Sequence, residues 1–399
     1  MVRRCDAIVV GGGPAGASAA YRLAVAGRSV LVLEKSPMPR NKLCGGAVSE
    51  QALRYLDFPI PPELYESECF GARVHYGSEA VEVRACGRAA VLVSRANFDA
   101  HLLGRASEKG AEVRYELVRG LEVKDDRVLA LTDRGGHEAR LAIVASGAAS
   151  LLARLVRPKD GPGRMGYCLE QIDSRRDPDP FSALGGLVDV HFGISGFGYG
   201  WVFPHGEHYS IGVGGLGVAF RDPHGAMRRF WVESCGLPAE GLRPRGWPIP
   251  CGGIRRRVAA RRLLLAGDAA GFVDPFTGEG IAYAIRSGQL AAAIADEALE
   301  ADDLSESFLA RAASRRYAEI HSALRWALVL ARLMHAVPSV FVRLLASEPE
   351  ILRRFLMVAQ DKLTYRGFCL WLLPRLPLFS ARLAMKPAGS ALTLAERGD

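Results

Sequence analysis

The sequence predicts an α/β protein, α+β overall, in which a parallel-sheet domain is interleaved with an antiparallel sheet and followed by a helical region at the C-terminus. Three observations predict it. Residues 7–34, AIVVGGGPAGASAAYRLAVAGRSVLVLE, read as a buried strand, a glycine turn, a helix and a second buried strand. Residues 263–290, LLLAGDAAGFVDPFTGEGIAYAIRSGQL, read as another apolar strand, a loop and a long helix. Between them, residues 70–93 and 167–218 alternate apolar and polar positions with few helix formers, the period of half-buried strands.

The first segment is a Rossmann-like βαβ unit. Gly11, Gly13 and Gly16 hold the G-x-G-x-x-G positions, with Pro14 and Ala15 between the last two. The first glycine permits the sharp turn, the second lets a pyrophosphate approach the backbone, and the third lets the helix sit close to the strand. The N-terminal N–H groups and dipole of that helix attract an anion. Glu34 follows the turn by roughly 20 residues, where a carboxylate accepts the hydrogen bonds of a dinucleotide ribose.

Composition bounds the rest. The 399 residues suffice for two or three domains, and 49% hydrophobic with 24% charged residues are globular values, so disorder is not expected. The net charge of +8 points to an anionic partner: cofactor phosphates, an acidic membrane surface or nucleic acid. No zinc finger, RNP-like aromatic strand or lysine-rich tail supports the last, and no nucleic-acid partner is expected. Eight cysteines (Cys5, Cys44, Cys69, Cys86, Cys168, Cys235, Cys251, Cys369) lie scattered without a C-x-x-C pair. They suggest neither a metal site nor a disulfide framework and suit a reducing cytosol. Arg3 and Arg4 precede an apolar run that belongs to the first strand, not to a signal peptide. No charge-free apolar stretch reaches the ~18 residues that predict a spanning helix.

After Glu34 comes KSPMPRNKLCGGAVS, where Pro37 and Pro39 exclude a helix and Gly45-Gly46 end a loop. A segment leaving the ribose-binding strand runs beside the cofactor. Lys35, Arg40 and Lys42 are therefore expected to face phosphates, and Cys44, Gly45 and Gly46 to lie near the reactive ring. Residues 94–109 predict a helix with Ser94 as N-cap and Phe98, Leu102 and Leu103 on one face. Arg95 in its first turn opposes the helix dipole and is read as serving an anion. Residues 110–136 read as a strand and a hairpin, in which Val118 is a candidate for clamping adenine through its backbone. Residues 141–150 form a further buried strand ending in small residues.

In the second β-rich stretch Phe197, Tyr199, Trp201 and Phe203 alternate, so they share one sheet face, and Pro204 closes the run. In residues 263–290, Gly267-Asp268 at a strand end suits sugar-like hydroxyls. Gly278-Glu279-Gly280 opens the helix containing Ile281, Ile285 and Leu290, whose N-terminus suits negative charge on a ring. From residue 303 the chain reads as helical. Its apolar stretches 324–345 and 368–379 are broken by Arg325, Arg332, Arg343 and Arg375 and carry Trp326 and Trp371. Both a membrane interface and a helical cap packed on the core fit that pattern. The domains are expected at residues 1–69, 94–165 and 255–300 for nucleotide binding, 70–93 and 166–254 for the antiparallel substrate domain, and 301–399 for the helical region.

With these segments placed, the chain resembles the FAD-dependent oxidoreductases of the hydroxylase-like glutathione-reductase superfamily, and within it the geranylgeranyl reductase family. The resemblance rests on GGGPAGASAAYRLAVAGRSVLVLEK, KLCGGAVS, YGWVFP and GDAAGFVDPFTGEGIAYAIRSG, which together span residues 7–300. It implies FAD with its pyrophosphate on Gly11 to Gly16, its ribose on Glu34, its ribityl chain near Asp268 and its ring against Gly278 to Ile281. It implies saturation of C=C bonds in an isoprenoid chain carried by a lipid, a quinone or a prenyl alcohol. Tyr199, Trp201, Phe203 and Pro204 would stand on the substrate side, as an apolar tunnel wall or as ring faces for positive charge developing on carbon. Cys44 resembles the family's loop cysteine, and proton relay, positioning and small apolar filler all remain open for it.

One departure is Ser146-Gly147, where hydroxylase-type members have Asp-Gly. No second G-x-G-x-x-G stands in strand–helix context, so the external electron donor is unassigned among NAD(P)H, ferredoxin, another donor protein and quinol. The rival readings are a flavin monooxygenase or halogenase, though no W-x-W-x-I-P stretch is present, and a flavin-carrying prenyl-lipid binding protein without chemistry. The expected location is cytoplasmic, peripheral on the inner face of the membrane through the basic C-terminal helices.

Overall fold

The computed structural model describes residues 5–251 and 256–385. Arg3, Arg4, the expected boundary at residue 255 and the tail 386–399 lie outside these described residues.

The first sheet follows from the composition of its strands. Val30–Glu34 is buried throughout and Cys5–Val10 from Ala7 onward, as parallel strands covered by helices must be. They lie side by side, flanked by Glu112–Tyr115 on one side and by Gly136–Val144 and Leu263–Leu265 on the other, all parallel. The hairpin of Val118–Val123 and Val128–Thr132 pairs antiparallel against Gly136–Val144. Two helices bring the halves of the domain together. Pro14–Val25 and Ile281–Glu300 pack backbone to backbone, since a Cβ at Gly288 would lie 2.1 Å from the Ala15 carbonyl oxygen. Beside this contact the Ser287 hydroxyl accepts the Gly267 N–H at 2.8 Å, fixing the turn that carries Asp268.

The second sheet has seven strands, in the order Arg245–Ile249, Gly166–Ser174, His208–Leu216, Gly198–Pro204, Leu187–Phe192, Gly71–Tyr76 and Glu79–Arg84. It is antiparallel except where Leu187–Phe192 runs parallel to Gly71–Tyr76. Parallel neighbours need a long crossover, and the nucleotide-domain insert between residues 94 and 165 supplies one. Ala90–Val93 also differs from the expectation for residues 70–93. It pairs with Ala47–Ser49 and Tyr65–Cys69 in a separate three-stranded sheet. Val91, Leu92 and Val93 are all buried, so this strand has no polar face to complete a half-exposed hairpin.

The C-terminal helices Ala318–Ala336, Pro338–Ser347, Pro349–Ala359 and Tyr365–Leu372 cover one end of the second sheet. Leu330, Met334, Phe341, Leu345 and Phe368 share a core with Ala72, Val74, Val81 and Val83. The apolar face read from the sequence is thus largely turned onto the sheet. Among the described residues no single helix is long and apolar enough to cross a membrane; Ala318–Ala336 and Pro338–Ser347 pass that test together but meet at 102°.

The helix contact yields a stability prediction. Gly288→Ala forces a methyl group into the Ala15 carbonyl and should cost about 1–3 kcal/mol, read as a lower Tm by scanning fluorimetry; an unchanged Tm would mean that the two backbones do not touch.

Candidate active site

One cavity of about 1500 Å³ runs between the two large sheets and under the C-terminal helices. That exceeds the ~300–1,000 Å³ of a site for one small molecule, so there is room for a dinucleotide and a second ligand together. Its wall includes the N-termini of both packed helices, Glu34, the loop from Arg40 to Gly46 and the aromatic row of Gly198–Pro204. It then continues as an apolar arm past Val74, Val190, Leu345, Phe355 and Phe368.

The first end is built for a dinucleotide. Gly11 has φ +103°, and a Cβ there would lie 2.6 Å from the Ala145 carbonyl oxygen, so only glycine makes this turn. At Gly13 the nearest atoms to an added Cβ are 3.5 and 3.9 Å away, leaving its face open to the cavity. Neither helix is capped by a side chain at Gly13 or Gly280, so both present free N–H groups to the cavity. Glu34 is oriented by the Gly12 N–H at 2.7 Å and the Ser36 N–H at 3.2 Å. Arg40 lies 3.3 Å from both Glu34 and Asp99. Asp268 is pushed above the usual carboxylate range by burial, opposed by Lys42, and its carboxylate has no hydrogen-bond donor among the described residues. An open glycine face, two uncapped helix ends and an unpartnered, half-buried acceptor fit the pyrophosphate and hydroxyls of FAD.

Arg95 differs from its reading as an arginine left for a ligand. Its guanidinium forks onto Asp99, four residues on, at 2.8 and 2.9 Å, and lies against the Cys44 thiol. Ser94 occupies the N-cap position, but its side chain bonds no amide there.

At the middle of the cavity three acids gather that motif reading did not single out. The Cys44 N–H bonds the Glu170 carboxylate, which also accepts the Ser210 hydroxyl at 2.5 Å, while Ser210 accepts the Trp201 indole N–H at 3.1 Å. Burial holds Glu170 above the usual range. Glu279 accepts the Ser49 hydroxyl at 2.6 Å; burial, with Asp274 adding, raises it to about 7. Asp274 accepts the Phe276 and Thr277 amides at 2.7 and 3.1 Å and shapes the loop before Gly278. Lys42 stands 3.8 Å over the Trp247 ring, its ammonium pushed down by burial and by Arg95. His205 lies 2.5 Å from Glu66 and 3.2 Å from the Gly45 carbonyl, bracing the Cys44 loop. In the apolar arm His335 stacks on Phe197 at 3.9 Å, and burial lowers it to about 4.

Among the residues expected from the sequence, Gly11, Gly13, Pro14, Ala15, Glu34, Lys35, Lys42, Cys44, Gly45, Gly46, Arg95, Val118, Gly267, Asp268, Gly278, Gly280, Ile281, Tyr199, Trp201 and Phe203 all line the cavity. Gly16 does not: a Cβ there would fall 1.8 Å from the Gly11 carbonyl oxygen, so its place is the helix–strand contact. Pro204 does not reach it either. Its side chain is turned away, buried, and its carbonyl accepts the Ser67 hydroxyl. A signal for Glu170 existed in the strand GYCLEQIDS, where a carboxylate shares a face with Cys168.

The comparisons with known proteins agree with this geometry. Residues 6–57 match the family model of FAD dependent oxidoreductases. A geranylgeranyl diphosphate reductase of Rhodobacter capsulatus is 34% identical over 321 residues, 77% of this chain and 79% of the relative. The chain belongs to the geranylgeranyl reductase family. It is an FAD-dependent oxidoreductase. A menaquinone reductase of Mycolicibacterium smegmatis is 32% identical over 323 residues, covering 73% of this chain and 76% of that one. A solved geranylgeranyl bacteriochlorophyll reductase-like protein of Thermoplasma acidophilum superposes with TM-score 0.77 over 96% of this chain and 99% of that one; at 23% identity this shows the fold.

Two predictions follow from the cradle and its acids. Gly13→Val should fold with a wild-type Tm in the absence of FAD, because its Cβ meets nothing closer than 3.5 Å, yet purify colourless; retention of FAD would place the pyrophosphate elsewhere. Glu279 is an acid whose folded pKa, about 7, lies above its ordinary 4.5. Its contribution to stability is whole below that ordinary value and is lost as pH rises through the folded one. Relative to Glu279→Gln, the wild type should therefore lose Tm between about pH 5 and pH 8; parallel Tm profiles would show that Glu279 does not titrate there.

Proposed function

We propose that this protein uses FAD to saturate C=C bonds of a geranylgeranyl-type isoprenoid chain whose reacting segment lies along Tyr199, Trp201 and Phe203. The observation that carries the reading is the continuity of the FAD cradle with an apolar arm inside a single cavity. FAD, when bound, supplies hydride to one carbon of the alkene. The chain's own residues place the alkene, exclude water and manage the proton that the other carbon must receive. The aromatic row and the apolar arm bind and orient the chain. Glu279, raised to about 7, can hold or release a proton close to neutral pH beside the uncapped helix end at Gly280, and Glu170 orients the Cys44 loop through the Cys44 amide. The Cys44 thiol, against Arg95, stands where the loop meets the aromatic row. Its hydrogen bond to Arg95 and its place beside the expected ring support a role in proton delivery over that of a filler.

The external electron donor is unassigned among NAD(P)H, ferredoxin, another donor protein and quinol. We place the protein in the cytoplasm, peripheral on the inner membrane face. Exposed Leu370, Leu373 and Leu378 beside Arg375 support contact with a lipid surface through the last helices.

Lipids extracted from cells with and without the protein should differ by steps of two hydrogens in prenyl-chain mass. Identical prenyl masses, with FAD bound, would remove the reading. Cys44→Ser should keep FAD and lower kcat by about 10²-fold or more, the contribution of a positioned acid; a wild-type rate would exclude Cys44 from proton delivery.

A further inference from the structure

The cavity has two chemically different ends across the second sheet. At the Gly71–Tyr76 end it is walled by Val74, Phe341, Leu345 and Phe368. At the opposite edge, strand Arg245–Ile249 brings Arg245 and Trp247 to the wall, with Arg243 just ahead of it. The two ends are separated by five strand-to-strand steps, or roughly 24 Å at about 4.8 Å per step.

Register decides which way Arg245 faces. It stands directly opposite Glu170, which stands opposite Gly212, which stands opposite Trp201. Residues paired in this way share a face, so Arg245 lies on the cavity side with the aromatic row. Its charge is nevertheless uncompensated. Glu170 is held by Ser210 and by the Cys44 amide. Among the described residues the Arg245 side chain has no carboxylate partner, and the Arg243 guanidinium bonds only the Leu242 carbonyl, at 2.9 Å. Both arginines are exposed at the rim. In the same cavity Arg40 and Arg95 are met by Glu34 and Asp99, while Lys35 and Arg119, also without an acid partner among the described residues, stand at the nucleotide end beside Glu34 and Val118 and not beside the aromatic row. Two unpaired guanidinium groups beside an aromatic wall are suited to bidentate recognition of a phosphate.

We infer that Arg243 and Arg245 form the headgroup site of this enzyme and that its substrate is a phosphate-bearing isoprenoid, with the tail directed along the aromatic row into the apolar arm. This rests on the reading of the protein as an isoprenoid reductase, and it selects phosphate over quinone among the headgroups that fit that reading. The phosphate belongs either to a prenyl diphosphate or to a glycerophospholipid ether.

The test uses the FAD-loaded full chain and its Arg243→Gln/Arg245→Gln variant, with binding followed by quenching of tryptophan fluorescence. The probes are geranylgeranyl diphosphate, a digeranylgeranyl glycerophospholipid in detergent micelles, geranylgeraniol and an isoprenoid quinone. The wild type should bind one of the phosphate compounds most tightly, and which one identifies the source; inorganic pyrophosphate should compete. In the variant that affinity should fall by about tenfold or more, with KM rising in parallel, while geranylgeraniol binding changes less than twofold and FAD remains bound. The inference is overturned if geranylgeraniol loses as much affinity as the phosphate compound, if neither changes, or if the quinone binds the wild type as tightly as either phosphate. If none of the four binds or is reduced, the isoprenoid reading itself fails instead.

Discussion

The structure depends on one close approach, that of the Ile281–Glu300 helix to the Pro14–Val25 helix at Gly288 and Ala15. Residues more than 250 positions apart are joined there without side chains between them, and the Ser287–Gly267 hydrogen bond transmits the contact to Asp268. As a result two helix N-termini open into the same cavity, one presenting N–H groups to the expected pyrophosphate and the other to the expected ring. A Cβ at Gly288 would press into the Ala15 carbonyl and force the two helix ends apart.

The second constraint is electrostatic. The cationic groups deep in the cavity are matched by an acid: Arg40 by Glu34 and Asp99, Arg95 by Asp99, and Lys42 by the field of Asp268. Burial meanwhile pushes Asp268, Glu170 and Glu279 above the ordinary carboxylate range, Glu279 to about 7, so the middle of the cavity holds an exchangeable proton on Glu279 close to neutral pH. A reaction that adds hydride and a proton across an alkene needs such a proton where bulk water is excluded. The Arg243 and Arg245 rim lacks acid partners among the described residues, as do Lys35 and Arg119 at the nucleotide end of the same wall, so the cavity is basic toward solvent at both openings.

Much of this was legible in the sequence because the relevant signals are local. The glycine spacing around Gly13, the carboxylate at Glu34 and the G-D and G-E-G turns at Asp268 and Gly280 each encode a backbone shape. The alternation of Tyr199, Trp201 and Phe203 encodes one face of a strand. What the sequence concealed depends on long-range register. Nothing near Arg245 shows that it stands opposite Glu170, whereas the Arg95–Asp99 pair is a local signal, an i,i+4 spacing on one helix that the reading of Arg95 as serving an anion passes over. The reassignment of Ala90–Val93 to a third sheet likewise follows from burial on both faces, which alternation alone does not reveal. The C-terminal region carried two meanings in sequence because one amphipathic pattern serves a sheet or a membrane. Packing shows that most of its apolar face meets the sheet.

The most direct test of the central claim, that the flavin cradle and the apolar arm are one working cavity, is an anaerobic single turnover. The purified protein, with its flavin fully reduced and excess reductant removed, is mixed with geranylgeranyl diphosphate while the oxidised-flavin absorbance is followed. The account predicts return of the oxidised spectrum in step with formation of the dihydro product by mass; a flavin that stays reduced in the presence of bound isoprenoid would contradict it.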